Sequence, residues 1–209
     1  MNSELPAILV SLATPALALV LLFHTIARWC RRQPRGWSWF LGLSAIALTL
    51  VVLPVQGLPL ARWLAGFVDH WSVPTLALLV TSVVQNFFNV ELLRHEDRRA
   101  AWAFGALAGV ALYPMALGLG PYDPFSHGWH FGPFFAVVGI VAVLLQWRRN
   151  RFGVVLLLAA SAWALRVPES GNYWDCLLDP FYFLASLAAL TSAACRARKL
   201  PAGPSSPQS

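Results

Sequence analysis

LPAILVSLATPALALVLLFHTIARWCRRQPR, residues 5–35, carries no formal charge as far as Ala27 and then four arginines, Arg28, Arg31, Arg32 and Arg35. An α-helix rises about 1.5 Å per residue, so about 20 residues cross the roughly 30 Å hydrocarbon core of a bilayer. Residues 5–27 meet that length. Glu4 precedes the apolar run and positive charge follows it, the reverse of a cleavable signal peptide, whose basic residues come first. The segment is therefore expected to be retained as a membrane span, with its arginines on the cytoplasmic side.

Six further segments repeat the pattern, at 36–58, 71–90, 100–120, 132–147, 152–167 and 180–195. Basic residues follow alternate segments: Arg94, Arg98 and Arg99 after the third, Arg148, Arg149 and Arg151 after the fifth, and Arg196, Arg198 and Lys199 after the seventh. With the first cluster these are thirteen of the 15 basic residues. The intervening connections hold only Arg62 and Arg166 and collect Asp69, Asp123, Glu169, Asp175 and Asp179. Cytoplasmic loops retain Lys and Arg, so the asymmetry predicts an all-α integral membrane protein, a bundle of about seven transmembrane helices with the N-terminus outside and the C-terminus cytoplasmic. The last two segments are short enough to form either a tilted pair or a re-entrant hairpin.

Composition agrees: 58% of the residues are hydrophobic and 11% charged, against about 25% charged in an ordinary soluble domain. The 10 tryptophans suit the membrane–water interface. Residues 1–200 read as a single polytopic domain, and 201–209, rich in Pro, Ser and Gly, as a disordered tail. Between the second and third segments, Leu60, Trp63, Leu64 and Phe67 fall at helical spacing, giving either a short interfacial helix or a broken extension of the second span. The lipid bilayer is the first partner implied, and a bacterial inner membrane suits the short loops. Nucleic acid is not a partner, because the net charge of +6 lies in short clusters between apolar runs rather than on one solvated face. Cys30, Cys176 and Cys195 are far apart and show no metal-ligand spacing.

Two outer connections offer chemistry. In GPYDPFSHGWHFGP, residues 120–133, Asp123, His127 and His130 are suitable ligands for a divalent metal, with a coordination position left for water. The simpler account makes Asp123 a turn cap beside Pro124 and leaves both histidines at headgroup level. In RVPESGNYWDCLLDP, residues 166–180, Glu169 or Asp175 would serve as general base and Arg166 would pair with an anionic substrate, if the chain is an enzyme. An arginine costs roughly 2.5–3.5 kcal/mol at the bilayer centre, so Arg166 calls for an acidic partner or a route to the headgroups. If 174–178 is helical, Asp175 and Asp179 project together, while Asp179 before Pro180 suits a helix N-cap.

Within the third segment Ser82, Gln85, Asn86 and Asn89 form an intramembrane polar stripe, either hydrogen-bonding between helices or lining a path. Glu91, Arg94 and His95 suggest an ion pair at the inner interface. His24 reads as a packing or interface histidine, and Gly105 and Gly109 as a close-packing GxxxG, inside the protein or between protomers. No Walker loop, dinucleotide fingerprint, GxSxG, HExxH or CxxCH is present.

Three functions fit. The first is a non-catalytic multi-pass inner-membrane component, a partner subunit or assembly or accessory protein, whose outer loops meet another membrane protein or lipid headgroups. The second is a membrane-embedded, metal-dependent hydrolase or transferase acting on a lipid-linked substrate at the outer interface. The third is a small-solute permease using the Gln85, Asn86 and Asn89 stripe.

Overall fold

The computed structural model describes residues 4–66, 70–167 and 170–199, and these are predominantly helical. α1 (Glu4–Trp29) and α2 (Trp37–Val52) lead into a hairpin of two short strands, β1 (Pro54–Val55) and β2 (Leu58–Pro59). There follow α3 (Leu60–Ala65), α4 (Val73–Phe88), α5 (His95–Ala116), α6 (Pro133–Trp147), α7 (Phe152–Ala164), α8 (Tyr173–Leu177) and α9 (Pro180–Lys199). A 3-10 turn, Pro124–Gly128, interrupts the α5–α6 connection. Among the described residues α1 alone has the length and apolar composition to cross a membrane, over Ile8–Trp29; α2, α4, α6 and α7 are apolar but only 13 to 16 residues long.

Most helices are thus shorter than the apolar segments that contain them, for local reasons. The segment 36–58 leaves the helix after Val52, where Pro54 lacks an N–H and the chain turns through Gln56 and Gly57, both at positive φ (53° and 84°) as a tight type I′ hairpin requires. α3 is consequently a separate helix, tacked to the hairpin by the Trp63 indole N–H, which donates to the Val55 carbonyl at 2.9 Å. Phe67 and Asp69 lie outside the described residues, as do Glu169 and the tail 201–209. The segment 71–90 ends its helix at Phe88, and Asn89 adopts the left-handed conformation (φ 58°). Glu91 and His95 therefore do not share a helical face, and the spacing that suggested an ion pair there does not apply.

Two apolar cores share α4. Val20 of α1, Ala47 and Val51 of α2, and Val83 and Phe87 of α4 pack together on one side. Leu78 of α4 joins Leu112, Phe135, Val138, Phe152, Leu156 and Tyr182 on the other. α8 lies inside this second core, where Tyr173, Trp174, Cys176 and Leu177 are all buried. Phe135 stacks on Tyr173 at 4.1 Å and Phe134 on Trp174 at 4.1 Å. The sixth connection is therefore folded into the bundle. The Gly105–Gly109 pair packs within the chain, since a Cβ at Gly105 would overlap Ser186 and Tyr182, and one at Gly109 would overlap Phe183.

A buried aspartate joins helix starts at each end. Asp179 caps α9 by accepting the Tyr182 N–H at 2.8 Å, and its other oxygen accepts the N–H and hydroxyl of Ser72, at 3.1 and 2.7 Å, and the hydroxyl of Thr75. Ser72 is itself the N-cap of α4, so one carboxylate satisfies donors at two helix N-termini. Asp97 does the same elsewhere, accepting the Arg94 N–H at 2.8 Å at the start of α5 and the Arg151 N–H at 2.9 Å at the start of α7. The Arg151 guanidinium then donates to the carbonyls of Glu91 and Leu92, at 3.0 and 2.8 Å.

These bonds sort the connections onto two ends. The first, third and fifth meet at an arginine-rich end, where Gly36 N–H donates to Phe87 O at 2.9 Å and Asp97 reaches Arg151. The fourth and sixth meet at the opposite end, through Asn172 and Phe125. Asp179→Ala is expected to lower stability by about 3 kcal/mol, because buried donors lose a charged acceptor. Thermal unfolding in detergent measures it. Gly109→Leu should unfold well below Gly42→Leu in the same assay, since a side chain at Gly42 meets open space.

Candidate functional site

At the opposite end the fourth connection is organised by its backbone. Asp123 accepts the Phe125 N–H at 3.0 Å through its carboxylate, and its carbonyl accepts the Ser126 hydroxyl at 2.7 Å, which starts the 3-10 turn. Gly128 lies directly against the Asn172 side chain, leaving no room for a Cβ. Asn172 is fully buried: its amide donates to Phe125 O at 2.9 Å while its oxygen accepts the Trp174 N–H at 3.0 Å. The Trp174 indole N–H reaches Pro124 O at 2.8 Å. Asn172, Trp174 and Gly128 therefore clip the fourth connection to the sixth.

This clip decides where the candidate metal ligands go. Asp123, His127 and His130 are exposed, and His127 leans edge-on against Tyr122 with ring centroids 5.2 Å apart. Among the described residues no three His, Cys, Asp or Glu side chains converge on a position a metal ion could take, so these three are not brought together. The turn is held by the contact of Gly128 with Asn172 and by the Pro124 carbonyl, while His127 and, beyond the turn, His130 are left exposed.

The sixth connection is likewise occupied with holding the fold. Asp175 accepts the Ser170 hydroxyl, and Ser170 in turn accepts the Asn172 N–H at 3.0 Å. α8 ends at Leu177 and Leu178 is extended, so Asp175 and Asp179 do not project together as a continuous helix would place them. Arg166 is exposed and ends α7 in the left-handed conformation (φ 52°). Its N–H reaches Trp163 O and the Val167 N–H reaches Ala162 O, a Schellman ending with a cation at the negative end of the helix dipole. Glu169 falls outside the described residues.

The arginine-rich end is different. A cavity of about 660 Å³ opens there, lined by Arg28 from the last turn of α1, by Arg31, Arg32 and Arg35 from the α1–α2 connection, and by Arg98 from the first turns of α5. Gln85, Asn86 and Asn89, three of the four residues of the polar stripe, line it as well. Ser82 does not: its hydroxyl donates to Leu78 O within α4 at 2.7 Å. Asn86 donates to Ser82 O at 2.8 Å, and Gln85 accepts a hydrogen bond from the Arg98 guanidinium through its side-chain oxygen. His24, buried against Phe87 with ring centroids 4.9 Å apart, forms part of the wall. Among the described residues no carboxylate lines the cavity.

The stripe and the first arginine cluster are more than forty positions apart, and only packing of α1 against α4 joins them. In the sequence the arginines read as orientation signals and the stripe as a separate feature. The signal in the sequence is that both sit at the C-terminal ends of their segments. Asn172 belongs to the polar run of the sixth connection, but its reach to Phe125, and that of Trp174 to Pro124, follow from tertiary packing and not from spacing.

Burial, and then the nearby Asp175 carboxylate, push the Cys176 thiol up to about 12, and burial likewise raises the Tyr173 hydroxyl. The thiolate is the reactive form. In folded protein at pH 8, Cys176 should therefore stay unlabelled by a maleimide while the exposed Cys30 and Cys195 react. Mass spectrometry before and after unfolding counts the labels. The same upward shifts favour the folded state below the ordinary thiol range, about pH 9, and that contribution fades as pH rises toward 12. No protein-family profile, curated protein or solved structure matches this chain, so the geometry of its two ends is what bears on function.

Proposed function

We propose that this chain is a non-catalytic, multi-pass component of a bacterial inner membrane, a partner subunit or an assembly or accessory protein. It passes about seven times, with its N-terminus outside and its arginine-rich end in the cytoplasm, and it acts by binding at that end. One observation carries the choice of end. The inward-facing polar side chains of the outer connections, Asn172, Asp179 and the Trp174 indole, are bonded to backbone or to helix caps, whereas the polar residues at the inner end face an open cavity.

The apolar surface supports the membrane setting. Leu107 of α5, Ile140 of α6 and Leu184 of α9 are 73%, 59% and 60% exposed, and similar residues lie outward on α2 and α7. Water tolerates little contiguous surface of that kind. Trp29 and Trp147, 91% and 83% exposed, follow α1 and close α6 beside Arg28 and Arg148, as aromatic residues do at an interface next to cytoplasmic arginines.

The geometry favours this reading over a metal-dependent hydrolase or transferase, because Asp123, His127 and His130 do not converge and Asp175 is engaged with Ser170. It also favours binding over passage of a solute. Beyond Gln85 and Asn86 the stripe runs into Val20, Val51, Val83 and Phe87, which are packed together and buried.

Two measurements test the proposal. In cells, Ser126→Cys should be labelled by a membrane-impermeant thiol reagent from outside, and native Cys30 only after permeabilisation; the opposite pattern would invert the orientation. Protein purified without a polyhistidine tag should carry far less than one divalent ion per chain, and His127→Ala/His130→Ala should leave that content unchanged. A stoichiometric metal lost in the variant would restore the enzyme reading.

A further inference from the structure

We propose that the arginine-rich cavity is a binding site for a phosphate-bearing anion. This deepens the reading above by naming the ligand class, and it rests on that reading for the side of the membrane to which the cavity opens. Binding itself depends only on the cavity.

Three observations carry it. First, five guanidiniums, those of Arg28, Arg31, Arg32, Arg35 and Arg98, border one cavity of about 660 Å³ whose lining, among the described residues, includes no carboxylate. Like charges gathered around a concave space raise one another's energy and concentrate counter-anions there. An ion pair inside the protein would remove that tension, and the lining supplies none.

Second, the Nε of Arg98 is buried without a hydrogen-bond partner among the described residues, although the guanidinium is held in place by Gln85. A buried unsatisfied donor is destabilising, more so when charged, and a ligand, ion or water that accepts from it relieves that cost. Third, neutral amide side chains line the same cavity. Because Gln85 uses its oxygen to accept from Arg98, the amide NH₂ is what it can offer, and Gln33 and Asn89 stand beside it.

The chemistry matches phosphate best. A planar guanidinium presents paired N–H donors that fit two phosphate oxygens, and amide donors complete the set around a tetrahedral group. Four of the arginines fall within eight residues spanning the last turn of α1 and the connection after it, where Arg31 adopts the left-handed conformation (φ 56°) to end α1. The turn keeps that cluster beside the end of α4. Arg98 arrives from α5, anchored next to the buried Asp97 clamp. A phosphate could reach this site as the headgroup of a membrane lipid or as a free phosphate compound, and the chemistry of recognition is common to both.

The test uses the full chain in detergent, with thermal unfolding followed at constant ionic strength. One arm adds inorganic pyrophosphate and the other short-chain phosphatidic acid in mixed micelles. A ligand that binds the folded state raises the unfolding temperature saturably. A rise in both arms assigns recognition to the phosphate group itself; a rise with phosphatidic acid alone assigns a lipid headgroup, and with pyrophosphate alone a free phosphate compound. Arg32→Gln/Arg35→Gln should weaken the effect by about tenfold or more, whereas Arg148→Gln/Arg196→Gln, the same charge removed from the same end but outside the cavity, should change it by less than about twofold. No saturable rise in either arm overturns the proposal. So do equal losses in the two double variants, which would make the arginines a general surface charge. Because binding is read in detergent, it can fail while the topology stands, and the topology can fail while binding stands.

Discussion

The ends of helices inside an apolar body govern this protein. The first four N–H groups of a helix have no partner within it, and where water is scarce each needs an acceptor from elsewhere. Asp179 supplies acceptors to the starts of α9 and α4, and Asp97 to the starts of α5 and α7. Because four of the longer helices begin at these two carboxylates, the clamps set both the pairing of helices and the sorting of connections to two ends. A negative charge is also favourable there, since the helix dipole presents its positive end.

The division of labour between the two ends follows. At the acidic end the polar side chains that turn inward are needed to join the fourth and sixth connections: Asn172 and Trp174 reach across to Phe125 and Pro124, and Gly128 makes space for the contact. At the arginine-rich end one carboxylate, Asp97, is already committed to helix starts, and the remaining groups around the cavity are cations and amides. The arginine-rich end therefore keeps hydrogen-bonding capacity that the opposite end has used on itself.

Several features were legible in the residues because they act locally. Asp179 before Pro180 caps α9 as that pairing suggests, and Asp123 before Pro124 takes a turn-capping role. The two glycines of GxxxG do permit close approach, and the structure resolves the partner as α9 of the same chain. Other readings needed information that spacing does not hold. His127 and His130 are three residues apart in any conformation, but which way they face depends on the contact of Gly128 with Asn172, forty-four positions away. Asp175 and Asp179 would share a face on one helix, and the extended Leu178 between them removes it.

What the sequence by itself determined is the helical character, the positions of the apolar runs and the alternation of arginine clusters between them. These depend on the length of uncharged stretches and on charge counts, which are one-dimensional quantities. Only the tertiary structure decided which polar residues are engaged and which remain available. Ser72 and Asp179 are 107 positions apart, and Arg98 meets Gln85 across a break between two helices. Hydrogen-bond satisfaction is a property of neighbours in space, so the same polar residue reads alike in sequence whether it clamps a helix or lines a cavity.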